Sequence, residues 1–260
     1  MDRFGVSVVI WIVAVFLTAC GPGLPAPRLN SYLNSRASDP SVVEPRTISA
    51  SPVALVVVIA DQKQGEESAL SPQGLEFVRR QARARVEEAV PIHVGAVVPD
   101  EEVIATRDGR LPLTTLAETR QVEWLAVVVL SAIELQEPQP FAMDGNRAGG
   151  GAMGTLPGTV TSVYALAEMA LVDGRSGRSP WRSEGRSVVT LEQLANGLES
   201  NAFPSIYRQG GQQRIAAPRN PVEAQDAVRS LAYEEALYQA AHALQQSWKE
   251  SLSKQPHGTL

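Results

Sequence analysis

The sequence predicts an α/β (α+β) domain: one mixed sheet of three to five strands covered by two or three helices. Three observations predict it. Val53-Ala54-Leu55-Val56-Val57-Val58-Ile59-Ala60 and Trp124-Leu125-Ala126-Val127-Val128-Val129-Leu130-Ser131-Ala132-Ile133 are near-continuous apolar runs rich in β-branched residues, the pattern of strands buried on both faces. Between and after them, apolar residues recur at helical spacing. Two further apolar stretches flank a glycine-containing turn, as in a hairpin. The order is β-α-β-α-β-β-β-α over residues 53–250, a sheet with helical cover.

The first strand is Val53–Ala60. Ser71-Pro72 then supplies an N-cap and a first-turn proline for a helix. On it Leu75, Val78, Ala82, Val86 and Ala89 form one stripe, with Arg79, Arg80, Arg83, Arg85, Glu87 and Glu88 mainly elsewhere. Ile92–Val98 reads as a short second strand. Thr115-x-x-Glu118 reads as a capping box opening a helix from Leu116 to about Val122. Trp124–Ile133 is the third strand, and Glu137–Gly158 a long loop. Val160–Val172 and Trp181–Thr190 pair as antiparallel strands across Asp173–Arg178, whose glycines offer positive φ. Leu191, Leu194, Ala195 and Leu198 suggest a short helix, and a polar loop follows to Pro218. Asn220-Pro221-x-Glu223 starts the last helix, with Tyr233, Leu237, Ala241, Leu244 and Trp248 in one stripe and Leu231 at its edge.

Residues 1–19 have another character. Arg3 and Asp2 are followed by an apolar run from Phe4 to Leu17, then small residues and Cys20. This is the layout of a secretory signal peptide, and the run is short of the ~20 apolar residues that span a bilayer. Leu17-Thr18-Ala19-Cys20 resembles the lipobox of bacterial lipoproteins. The resemblance implies cleavage before Cys20, a diacylglyceryl thioether on its sulfur and a third acyl chain such as palmitate on its amine. Each buried methylene contributes ~0.8 kcal/mol, so several chains anchor firmly. Gly21 in place of an aspartate favours, by the sorting rule of such lipoproteins, the periplasmic face of the outer membrane over the inner membrane. Residues 20–52, rich in Pro, Ser, Asn and Arg, read as a tether with a typical reach of about 30 Å. Residues 251–260 read as a disordered tail.

Composition narrows the function classes. About 240 residues remain after the signal, one ordinary domain plus a tether. A net charge of −5 argues against a nucleic-acid or anionic-lipid surface. Cys20 is the sole cysteine, so neither an internal disulfide nor a cysteine-rich zinc site can form.

Leu171-Val172-Asp173-Gly174-Arg175-Ser176-Gly177-Arg178-x-x-Trp181-Arg182 and Val122-Glu123-Trp124-Leu125-Ala126-Val127-Val128-Val129 resemble features of envelope lipoproteins. These have a domain like the N-terminal domain of the Tol–Pal β-propeller protein, and include relatives of the curli-secretion channel lipoprotein and of the penicillin-binding-protein activator lipoprotein B. The resemblance spans about Val53 to Trp248 and implies a fold rather than a function. The long loops 137–158 and 198–218 depart from a minimal version. Neither carries the alternating strands of a membrane pore.

No residue set points to catalysis, a cofactor or a metal. His93, His242 and His257 stand apart, without HExxH or paired ligand spacing. Ser176 lacks the second glycine of a nucleophile elbow, because position 178 is Arg. Gly149-x-Gly151-x-x-Gly154 matches the dinucleotide pattern in letters, but it neither follows a buried strand nor opens a capped helix. Asp100, Glu101 and Glu102 read as a solvated loop, and Trp181 and Trp248 as core anchors. The expectation is a non-catalytic, membrane-anchored periplasmic lipoprotein with an envelope protein partner. The alternatives are an envelope hydrolase acting on peptidoglycan or lipid, and a ring-forming secretion subunit.

Overall fold

The computed structural model describes residues 24–33, 48, 51–60, 70–103, 110–142, 155–195, 203–208 and 214–253. Residues 1–19, Cys20 and the tail beyond 253 lie outside the described residues. In chain order the elements are α1 (Leu29–Tyr32), β1 (Val53–Ile59), α2 (Pro72–Ala89), β2 (Val94–Val97), α3 (Leu113–Arg120) and β3 (Trp124–Ala142). They continue with β4 (Thr155–Asp173), β5 (Trp181–Leu194), β6 (Ser205–Arg208), β7 (Arg214–Ala216) and α4 (Pro221–Ser253).

The strands form one seven-stranded mixed sheet in the order β2-β1-β3-β4-β5-β6-β7. β1 runs parallel to both β2 and β3, and every later pairing is antiparallel. The α/β class therefore holds, and the expected three to five strands become seven. β6 and β7 have four and three residues, too short for an alternating pattern to stand out in what reads as a polar loop.

Alternation along the central strands divides two cores. Leu55, Val57, Ala126, Val128, Met169 and Val189 face α2 and α4. Ala54, Val56, Leu125, Val127, Val129, Ala170 and Val172 face the other way, under Leu29 and Leu33 of the N-terminal segment and Leu113 and Leu116 of α3. The helix stripes land as the sequence places them, except that Leu75 is only partly buried. Val78, Ala82, Val86 and Ala89 are buried on α2, and Tyr233, Leu237, Ala241, Leu244 and Trp248 on α4. Trp181 is fully buried; its ring lies 4.9 Å from that of Trp248 and 6.5 Å from that of Trp124. Both anchoring tryptophans are thus core residues.

Helix ends follow local chemistry. Ser71 caps α2 by accepting from the Gly74 amide, with Pro72 in the first turn. Asp226 on α4 reaches the same end, accepting from the Ser71 amide at 2.8 Å and the Ser71 hydroxyl at 2.7 Å. Asn220 Oδ1 accepts from the Val222 amide at 3.0 Å at the start of α4. The capping box expected at Thr115 is not used. Helix α3 begins three residues earlier, after Pro112 and without a side-chain cap, and ends at Gln121, whose φ is 53°.

Three other expectations are corrected. The residues expected as loop 137–158 are strand at both ends, because β3 and β4 form a continuous ladder from Trp124↔Asp173 to Ala142↔Thr155. Pro138 and Pro140 mask this in the sequence. Pro140 faces Pro157, and two prolines cannot exchange N–H bonds, so even-numbered β3 residues turn their backbones away from β4. The Ala60 amide accordingly donates to the Leu130 carbonyl, and the Ala195 amide to that of Pro157. The prolines thus remove no bond between β3 and β4. Secondly, Leu191 and Leu194 belong to β5 rather than to a helix, and Leu198 lies outside the described residues. Leu191 is buried between Thr161 and Ile206 of the neighbouring strands. Thirdly, the stretch expected as tether packs in part, since Leu29, Leu33 and Ile48 are buried. In the 173–178 turn, Gly177 alone uses positive φ, 67°. Gly174 is required instead by space, since a Cβ there would lie 2.4 Å from that of Ala117.

Candidate functional site

The residues that the sequence offers for chemistry are scattered. Cys20, Gly149, Gly151, Gly154 and His257 lie outside the described residues. His93 is an exposed residue before β2, 3.4 Å from Glu87. His242 on α4 lines a shallow groove of about 220 Å³ with Glu88, Ala89, Tyr238, Ala241 and Gln245. Ser176 is a turn residue, donating to Asp173 Oδ2 at 2.7 Å. The acidic cluster is divided: Asp100 pairs with Arg79 and Glu102 with Arg120. Among the described residues, no group of three or more His, Cys, Asp or Glu could hold a metal ion. No described helix is long and apolar enough to cross a membrane.

The most unusual polar group is one that sequence reasoning passes over. Glu168 sits in β4 inside Ala165-Leu166-Ala167-Glu168-Met169-Ala170-Leu171-Val172 and is 5% exposed. Its cross-strand neighbours are Val129 on β3 and Glu184 on β5. Its Oε2 accepts the backbone amides of Arg28 at 2.6 Å and Leu29 at 3.0 Å, 140 and 139 positions earlier in the chain. Burial pushes the carboxyl above its ordinary range. The amides of Arg28 and Leu29 pull the other way, Glu184 adds to the rise, and Arg186 opposes it. A lone carboxylate inside an apolar strand was the available signal.

The same N-terminal segment is held at further points. Arg182 Nη1 on β5 donates to Asn30 Oδ1 at 2.5 Å, and burial lowers the pKa of that guanidinium. The Leu111 amide donates to the Tyr32 carbonyl at 3.0 Å, and Arg28 Nη1 to the Ala60 carbonyl at 3.4 Å. Chemically this arrangement grips a peptide backbone, since the carboxylate's known bonds go to the chain's own amides. Away from it, β3 runs twelve residues past Leu130, its last residue paired with β1. At 3.3 Å per residue that is an arm of about 40 Å, paired along β4 and braced to α4 by Arg229 on Glu134 at 2.7 Å.

Neither a protein-family model nor a curated protein matches the chain. Among solved structures, the PelC dodecamer from Paraburkholderia phytofirmans is similar at 10% identity and a TM-score of 0.31, covering 76% of this chain and 89% of that one. A neuraminyllactose-binding hemagglutinin homolog from Helicobacter pylori has 9% identity and a TM-score of 0.33, covering 86% and 92%. Lipoprotein GNA1162 from Neisseria meningitidis has 14% identity and a TM-score of 0.27, covering 58% and 88%. Each of these scores is below 0.5, too low for a shared fold to follow from it.

Proposed function

We propose that this chain is a non-catalytic lipoprotein of the cell envelope, anchored through acyl chains on Cys20 at the periplasmic face of the outer membrane. Its folded domain engages a protein partner in envelope assembly or export. The observation that carries the anchoring is the apolar run Phe4–Leu17 ending in Leu17-Thr18-Ala19-Cys20, with that cysteine the sole one in the chain. Partner binding rather than chemistry is supported by how the polar groups are used. Glu168 grips the chain's own backbone, and Asp100, Glu102, Glu134 and Asp226 bind neighbouring elements. The arm of β3 and β4 is the surface proposed for the partner, on account of its length beyond β1.

Two measurements test this. Replacing Cys20 with serine is expected to abolish cleavage before residue 20 and the acyl anchoring that depends on it. Unchanged processing and fractionation would refute the anchor. Crosslinking in intact envelopes is expected to capture a specific protein, and that capture is expected to disappear when residues 137–158 are replaced by a short turn. Capture that survives the replacement would remove the arm from the proposal.

A further inference from the structure

We propose that residues 24–33 are a strap, latched to β4 by Glu168, that sets how far the domain stands from its lipidated Cys20. The stand-off rests on the anchoring reading above; the latch does not. The strap is held by polar and apolar contacts together. Leu29 and Leu33 are buried against the sheet face that carries Val127, Val129 and Val172. The amides of Arg28 and Leu29 both end on Glu168 Oε2. Each side depends on the other: without the strap, a carboxylate buried on β4 loses both donors and must be hydrated, a cost a folded protein seldom leaves uncompensated. Glu184 and Arg186 of β5 are the charged groups acting on Glu168 from the neighbouring strand, and Arg182 grips the strap itself. Docked and released are therefore two distinct states rather than a continuum.

The consequence is a change of reach. With the strap docked, Arg28 lies eight positions after Cys20, at most about 30 Å of chain. With it released, the next buried attachment among the described residues is Ile48, which packs in the main core. That leaves 28 residues from Cys20, roughly 100 Å at full extension. The same covalent tether thus has a short and a long setting. Glu168, far from the anchor in sequence, chooses between them.

The test uses the full lipidated chain on phosphatidylethanolamine–phosphatidylglycerol vesicles, with amide hydrogen exchange as one readout. The other is energy transfer from a dye on Lys249→Cys, an exposed α4 position, to labelled lipid. Glu168→Ala is expected to speed exchange across 24–33 by about tenfold or more, the loss of two hydrogen bonds to a charged group. Exchange in α4 is expected to stay unchanged while energy transfer falls. Leu29→Asp with Leu33→Asp, which leaves β4 intact, is expected to do the same and keeps the test open if Glu168→Ala impairs folding. Strap protection unchanged in both variants would overturn the latch. Strap release without a change in energy transfer would overturn the stand-off. Exchange can be read on free and vesicle-bound chain alike. A wild-type chain that never joins the vesicles would therefore refute the anchor and leave the latch standing or falling on its own data.

Discussion

Adding one methyl group at Gly185 is expected to cost far more than adding the same group at Gly95. Gly185 on β5 lies under α4, and a Cβ there would stand 2.2 Å from the Ala236 carbonyl oxygen and 2.3 Å from the Ala240 amide nitrogen. Both are helix backbone, so no side chain can rotate away. Ordinary contact begins near 3.4 Å, so α4 must retreat by about 1 Å, an overpacking that costs roughly 1–3 kcal/mol. The retreat also stretches the buried bond from the Ser187 hydroxyl to the Ala232 carbonyl, now 2.6 Å, which contributes about 1 kcal/mol more. The sum for Gly185→Ala is a loss of ~2–4 kcal/mol. Gly95 on β2 has its nearest atom, the Val53 carbonyl oxygen, 3.9 Å from the same position. There, relief of glycine's entropy cost is expected to give a gain of roughly 0.5–1 kcal/mol. Urea unfolding of both variants against the parent measures the difference, read as a midpoint shift at constant slope. Stabilities of the two variants within about 0.5 kcal/mol of each other, the range of an ordinary surface change, would refute the close approach of α4 to β5.

Other expected outcomes follow from the same packing. Trp181→Ala removes a fully buried ring that touches Trp248 and Trp124 and donates to Ser251 Oγ at 3.2 Å; a loss of ~3–5 kcal/mol is expected by denaturant titration. Asp226→Ala leaves the Ser71 amide and hydroxyl without their acceptor, and a loss of about 1–3 kcal/mol is expected, with faster amide exchange in the first turn of α2. Glu168 gives a pH dependence of definite sign. Its folded pKa is raised above the ordinary 4.5, so the native state holds its proton more tightly than the unfolded chain. Its contribution is complete below about pH 4.5 and lost as pH rises through the folded value. Glu168→Gln is expected to flatten this part of the stability–pH curve, and an unchanged slope would contradict the burial.

The parts of the fold legible in the sequence were those written in a strong period. β1, the first half of β3, α2 and α4 carry continuous β-branched runs or i, i+4 stripes, and tertiary packing agrees with them. The second half of β3 was hidden because Pro138 and Pro140 read as loop, and their harmlessness depends on which way their backbones point relative to β4. The start of α3 was misread because Thr115 and Glu118 have the spacing of a cap, whereas the helix begins after Pro112 without one. Leu191 and Leu194 have helical spacing by coincidence within a strand. The strap was illegible for another reason. Its stability comes from a carboxylate 140 residues away, and no local pattern around Arg28 announces a partner at that distance. Glu168 itself was visible as the one charge in an apolar strand, and that anomaly carried the information.

The two prolines of β3 have a consequence beyond the ladder they leave intact. Since even-numbered β3 residues turn away from β4, positions 138 and 140 present carbonyl oxygens to the outer margin and no N–H. A foreign strand laid there would find acceptors without the matching donors, and its own carbonyls opposite would go unanswered. Around Pro138 and Pro140 the arm is thereby a poor template for edge-to-edge pairing with its own copies.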